Sequence, residues 1–264
     1  MRTALTIAGS DSGGGAGIQA DLKTFAAHQV YGTSAVTAVT AQNTLGVTMW
    51  QAMPADLVTA QIEAVAGDIG VDAVKIGMLA NAAIVEAVAA AILDLDLPLV
   101  VVDPVMVAKG GHKLLEDDAI SALRTELLRR AHIVTPNVPE AEVLAGISIA
   151  SLDDMHAAAA RILELGPRVV LVKGGHLDGP ESVDVACTTH GSFEVRRPRV
   201  ATRNTHGTGC TLSSAIAANL ARGLDDRAAI VQARDYLDGA LRHAPAIGRG
   251  HGPLEHFWYF GVRQ

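Results

Sequence analysis

Short runs of β-branched and aliphatic residues alternate along the chain with longer alanine-rich stretches whose apolar positions recur at helical spacing. The short runs predict strands over 4–7, 34–40, 73–76, 99–102, 133–135 and 169–172. The longer stretches predict helices over 17–28, 55–66, 80–93, 117–127, 140–144, 152–165, 211–220 and 227–241. Two further runs, 182–188 and 192–196, are joined by His190-Gly191 and read as a hairpin on a sheet edge. Strands that are apolar throughout, each followed by a helix, predict a parallel sheet covered on both faces. No linker, repeat or low-complexity tract interrupts the alternation, so one domain over 1–264 is expected. In such a sheet the ligand site lies at the carboxyl ends of the strands. The loops that follow the strands, 9–15, Gln42-Asn43, Gly77-Met78, 103–111, 136–140 and 174–176, are therefore candidates to line one cleft.

Composition narrows this picture. The 264 residues are 49% hydrophobic but only 3% aromatic, so the core is built from Ala, Val, Leu and Ile. A formal net charge of −7 disfavours a general nucleic-acid or anionic-membrane binder. Any anionic ligand must then be held by local features. The two cysteines, Cys187 and Cys210, have no framework spacing and read as reduced thiols of a cytoplasmic protein. The N-terminal apolar run is too short for a secretory signal and reads as a first buried strand, and no run reaches the length of a membrane span.

Chemistry concentrates in a few loops. Asn204-Thr205-His206-Gly207-Thr208-Gly209-Cys210-Thr211 is a glycine-punctuated turn feeding an apolar helix. Unpaired amides at a helix start bind anions, and glycines let a phosphate come close. Cys210 falls in the first turn, where the helix dipole favours a thiolate. A capped helix with a buried cysteine fits the same residues about equally well. The run Gly9-Ser10-Asp11-Ser12-Gly13-Gly14-Gly15-Ala16-Gly17 lacks both the spacing of a dinucleotide fingerprint and the Gly-Lys-Ser/Thr of a P-loop, so it reads as a close-approach loop. Asp21, one turn into the next helix, has a solvated carboxylate as its ordinary reading. Asp103 leaves an apolar strand, and Asn137 and Glu140 follow the next one. Such oxygen ligands suit magnesium, although Asn137 and Glu140 also fit simple helix-start capping. Lys173, at a strand tip before Gly174-Gly175, suits a phosphate. Lys109, in the glycine-containing loop 108–112, is a candidate to close over it.

These residues coincide with a known pattern. Thr6–Phe25, Ala41–Thr44, Lys75–Leu79, Asp103–Gly111, Thr135–Ala141, Lys173–His176, Asn204–Ala215 and Gly250–Phe257 together resemble the hydroxymethylpyrimidine/phosphomethylpyrimidine kinases of thiamine biosynthesis, members of the ribokinase superfamily. The resemblance runs almost end to end, and Cys210 in the cradle separates this branch from members with an Asp there. It implies a three-layer α/β/α ribokinase-like fold with a mostly parallel central sheet, ATP and Mg2+ as cofactors, and two successive phosphorylations of 4-amino-5-hydroxymethyl-2-methylpyrimidine. It further implies Cys210 as catalytic base, with the amides of Gly207, Thr208, Gly209 and Cys210 as the anion hole. Asp21 and Gln42 would bind the pyrimidine, with Gly9, Met78 and Val105 lining its pocket. Asn137, Lys173 and Thr208 would serve ATP, and Glu140 and Asp103 the metal. A homodimer is implied as well.

Two other readings fit the same sequence less well. A pyridoxal kinase of the same superfamily would take a similar ring carrying a hydroxymethyl group. A non-catalytic nucleotide-binding regulator predicts decay at Cys210, Asn137, Glu140 or Lys173, and all four are present. A dinucleotide-dependent oxidoreductase fails on the glycine spacing.

Overall fold

Residues 1–106, 117–177 and 179–260 are described by the computed structural model. The proposed closing loop at 109–112 lies outside them. The strands are β1 (Thr3–Ala8), β2 (Tyr31–Val36), β3 (Ala38–Asn43), β4 (Gly46–Ala52), β5 (Ala73–Ile76), β6 (Val100–Val102), β7 (Ile133–Val134), β8 (Val169–Val172), β9 (Glu181–Thr188) and β10 (Gly191–Pro198). The helices are α1 (Gly17–Ala27), α2 (Ala55–Asp68), α3 (Ala82–Asp94), α4 (Asp117–Ala122), α5 (Val138–Ala145), α6 (Leu152–Leu163), α7 (Thr208–Ala221) and α8 (Asp226–Arg242).

The main sheet has the order β10-β9-β8-β7-β6-β5-β1-β2. Six strands, from β8 across to β2, run parallel, and the foreseen hairpin adds β9 and β10 antiparallel at one edge. Alternation along each strand sorts the core into two. Leu5, Ile7, Val74, Ile76, Val100, Val102, Val134, Val170 and Val172 pack against α2 to α6. Ala4, Ala73, Val101, Ile133, Val169 and Leu171 pack against α1, α7 and α8. That is the three-layer α/β/α arrangement. Every residue of α7 from Thr211 to Ala221 is buried. Leu212, Ile216 and Leu220 form a stripe at i, i+4 and i+8, each contributing about 1.5–3 kcal/mol by burial. Small Ala and Ser residues on its other sides let α1 and α8 approach.

The single strand expected over 34–40 divides at Thr37. The Thr37 amide donates to the Ala8 carbonyl and its own carbonyl accepts from Met53. The chain therefore leaves the main sheet there, and β3 pairs with β4 in a separate two-stranded sheet. β4 carries no strong signal, because Val47 is its one buried residue. The helix expected from 211 begins at Thr208, so Cys210 stands in its first turn. None of the helices among the described residues is long and apolar enough to cross a membrane.

Candidate active site

The carboxyl ends of β1, β5, β6, β7 and β8 open toward the first turn of α7. Gly207 caps that helix at φ 83°, with no side chain bonded to the turn's amides. Only glycine fits there: a β-carbon would need the left-handed conformation and would lie 1.9 Å from the Gly15 carbonyl oxygen. The glycine-rich loop and the α7 turn thus interlock through backbone. With no side-chain cap, the amides of Thr208, Gly209 and Cys210 point out of the helix start, as an anion cradle requires.

Asp103 and Lys173 face this turn. A β-carbon on Gly209 would lie 3.2 Å from Asp103 Oδ2 and 3.4 Å from Lys173 Nζ. Lys173 Nζ donates to Asp103 Oδ1 at 2.7 Å, across the intervening β7. Burial alone would lower the lysine, but Asp103 and then Glu140 raise it, so it stays charged. Asn137 bridges to Lys173 through backbone. Asn137 and Glu140 form a capping box at the start of α5: the Glu140 amide donates to Asn137 Oδ1 at 2.9 Å, and the Asn137 amide to Glu140 Oε2 at 2.8 Å. The capping reading from the sequence therefore holds, and the cap is made beside Lys173. Burial, with the nearby Asp103 carboxylate, pushes the Glu140 carboxyl up to about 7 against the pull of Lys173.

Nearer β1, Gly9 and Met78 meet, a β-carbon on Gly9 lying 3.1 Å from Met78 Sδ. Val105 is half-buried and its amide donates to the Asp103 carbonyl at 2.8 Å. The half-buried Gln42 places its amide 3.3 Å from Thr40 Oγ1 and 3.4 Å from His206 Nε2. Asp21 is different. Its carboxylate is fully buried and accepts from Thr6 at 2.6 Å, Lys75 at 2.9 Å and Ser214 at 2.7 Å. It is not the solvated surface acid that its place on the helix suggested, because all three partners hold it inside the core.

Cys210 also departs from its sequence reading. A helix N-terminus favours a thiolate, yet here burial pushes the thiol up to about 11, with Asp21 and Asp103 adding to the rise. Lys75 and the Gly17 amide pull the other way and do not reverse it. The group is a neutral thiol near pH 7.

A family model described as phosphomethylpyrimidine kinase matches residues 11–255. The chain belongs to the phosphomethylpyrimidine kinase family. It is 52% identical to the hydroxymethylpyrimidine/phosphomethylpyrimidine kinase of Synechococcus elongatus, over 97% of each chain. It is 50% identical to the thiamine biosynthesis bifunctional protein ThiED of Geobacter sulfurreducens, over 96% of this chain but 51% of that one, so it spans about half of that relative. The solved ADP complex of Bacillus subtilis pyridoxal kinase superposes with a TM-score of 0.91 at 37% identity, over 98% of this chain and 99% of that one.

As a phosphotransferase of the phosphomethylpyrimidine kinase family, the chain carries site residues that sequence reasoning gave no role. Asp11 accepts from the amides of Gly13, Gly15 and Ala16 and pairs with His206 Nε2 at 2.8 Å, so it ties the glycine-rich loop to the segment before α7. An Asp ahead of three glycines was a readable turn signal. Lys75 had none, because its partner Asp21 is distant in sequence. Among the described residues no group of three or more His, Cys, Asp or Glu side chains could hold a metal.

Proposed function

We propose that this chain is a single-domain ATP-dependent kinase. It phosphorylates the hydroxymethyl group of 4-amino-5-hydroxymethyl-2-methylpyrimidine and then phosphorylates the resulting monophosphate. The observation that carries the reading is the convergence of Asp103 and Lys173 on the uncapped first turn of α7 at Gly209.

The geometry supports a division of labour. The amides of Gly207, Thr208, Gly209 and Cys210 receive the transferring phosphoryl group. Lys173 sits within reach of the phosphates, and Asn137 and Thr208 complete the ATP side. A β-carbon on Gly209 would lie between Asp103 and Lys173, so glycine keeps the helix start open to a ligand there. Magnesium brought with ATP would neutralise phosphate charge, and Asp103 and Glu140 are the residues that would hold it. Two carboxylates suffice for an ion that keeps most of its waters and binds phosphates too. Gln42, Gly9, Met78 and Val105 form the acceptor side.

Phosphoryl transfer has a loose transition state, so positioning and charge stabilisation outweigh early proton removal. A neutral thiol at Cys210 fits that chemistry. It accepts a hydrogen bond from, or donates one to, either acceptor. A carboxylate there would repel an incoming phosphate monoester by ~4 kcal/mol at ~4 Å and an effective dielectric near ~20. Cysteine thus lets one pocket serve an alcohol and then its phosphate.

The superposition on a pyridoxal kinase favours a second acceptor reading. Competition between the pyrimidine and pyridoxal for ATP turnover separates the two. Preferred turnover of the pyrimidine supports the proposal; preferred turnover of pyridoxal overturns it.

The assembly we infer is a cytoplasmic homodimer. Unpaired Cys187 and Cys210 support a reducing compartment. The exposed apolar side chains Val39, Leu45 and Met49 on the β3–β4 hairpin support cover by a second copy. Light scattering on the eluting protein reads the mass directly.

A further inference from the structure

Behind Lys173 lies a buried charge cluster that the proposed chemistry does not use. Asp184 on β9, Arg234 and Asp238 on α8 are all buried. Arg234 Nε lies 3.6 Å from Asp184 Oδ2, and its Nη2 lies 3.4 Å from Asp238 Oδ1. Arg234 Nε and Asp238 Oδ1 make no hydrogen bond. As a stabilising device this is poor, since three desolvated charges sit at loose distances.

Asp184 has one good contact. Its Oδ1 accepts from the Gly174 amide at 2.9 Å. Gly174 directly follows Lys173, and the chain there is pressed so hard on β9 that a β-carbon would overlap the Val183 carbonyl at 1.8 Å. Beyond it, Arg199 holds the turn separately through the carbonyls of Gly175, Leu177, Gly179 and Glu181. The lysine's own amide is fixed by Pro136 at 2.8 Å. Between these two anchors, the Gly174 amide is the group that depends on Asp184.

We propose that Asp184 is a positioning residue for nucleotide binding. Its carboxylate, held in charge balance by Arg234, fixes the Lys173–Gly174 peptide so that Lys173 is aimed at Asp103 and the first turn of α7. The inference rests on the nucleotide role proposed for Lys173. A structural role alone would cost stability; a positioning role changes how ATP is bound by protein that is fully folded.

The test is steady-state kinetics with ATP and the pyrimidine varied separately, alongside thermal melting. Asp184→Asn keeps an oxygen for the Gly174 amide. Asp184→Leu removes it, and Asp184→Leu/Arg234→Gln removes it without stranding the arginine while leaving a neutral donor toward Asp238, guarding against a variant that does not fold. Loss of the acceptor should raise the KM for ATP about tenfold or more, because small misplacements of a positioning group are costly. The KM for the pyrimidine should stay within about twofold, with Asp184→Asn close to wild type in both. An unchanged ATP KM in the folded double variant overturns the inference. Lys173→Ala separates the two levels. If it raises the ATP KM and the Asp184 variants do not, only the role of Asp184 falls. If it leaves the ATP KM unchanged, the nucleotide role of Lys173 falls and the inference falls with it.

Discussion

Lys75 and Asp21 form an ion pair of 2.9 Å in which neither side chain reaches solvent. The pair joins β5 to α1, and through Ser214 it reaches α7 one turn beyond Cys210. Removing one partner strands the other's charge in the core. Lys75→Met is expected to cost about 3–5 kcal/mol of stability, and Asp21→Asn/Lys75→Met to recover most of it. Denaturant unfolding of the single and double variants checks this. A double variant no more stable than Lys75→Met would show that the pair is not charge balance.

The same surroundings govern the thiol above. With Cys210 pushed up to about 11, its alkylation by iodoacetamide in the free enzyme should accelerate only above about pH 10, not near the free-thiol value of about 8.5. An inflection at or below pH 8 would contradict the burial account. The sign for stability follows. The folded protein holds this proton more tightly than the unfolded chain, so Cys210 opposes folding progressively as pH rises from about 9 toward about 11.

Asp11 works in the opposite direction. Burial raises its carboxyl, but His206 and the amides of Ala16 and Gly13 more than reverse this, leaving it below the ordinary 3.8. Its contribution is present above pH 3.8 and lost as pH falls through the lower folded value. Asp11→Asn should therefore be less stable at pH 6 and show a flatter loss below pH 4, as pH-dependent thermal melting would record. Equal acid slopes in wild type and variant would remove Asp11 from the account.

Two glycines separate fold from chemistry. Gly207→Ala meets backbone and a left-handed φ, and should cost about 2–4 kcal/mol along with most activity. Gly209→Ala has no such strain, but its methyl enters the space between Asp103 and Lys173. It should melt within a few degrees of wild type and lose at least about tenfold in kcat/KM for ATP. Normal turnover by Gly209→Ala would place the phosphates elsewhere.

The legible parts were those with local causes. Apolar periodicity gave the parallel strands and most helices, and the 182–196 hairpin was readable from its turn. Thr37 shows the limit: the break between β2 and β3 comes from hydrogen bonds to Ala8 and Met53, which no window of neighbouring residues contains. Asp21 shows it again. Its spacing invited a surface reading, but Lys75, 54 residues away, pairs with it in the core. The Asp103–Lys173 contact spans 70 residues and follows from strand order. Cys210 was placed correctly in the first turn, while its ionisation was misjudged because burial outweighs the helix dipole.

In the proposed function, one pocket carries out two transfers in order. The most direct measurement follows 4-amino-5-hydroxymethyl-2-methylpyrimidine with ATP and magnesium, resolving mono- and diphosphate products over time, for wild type, Cys210→Ala and Cys210→Asp. Wild type should form the monophosphate first and the diphosphate after it. Aspartate should slow the second step more than the first, whereas alanine, which removes a hydrogen bond that both acceptors use, should slow both. Monophosphate alone from wild type, or equal losses in both steps for Cys210→Asp, would contradict the proposed function.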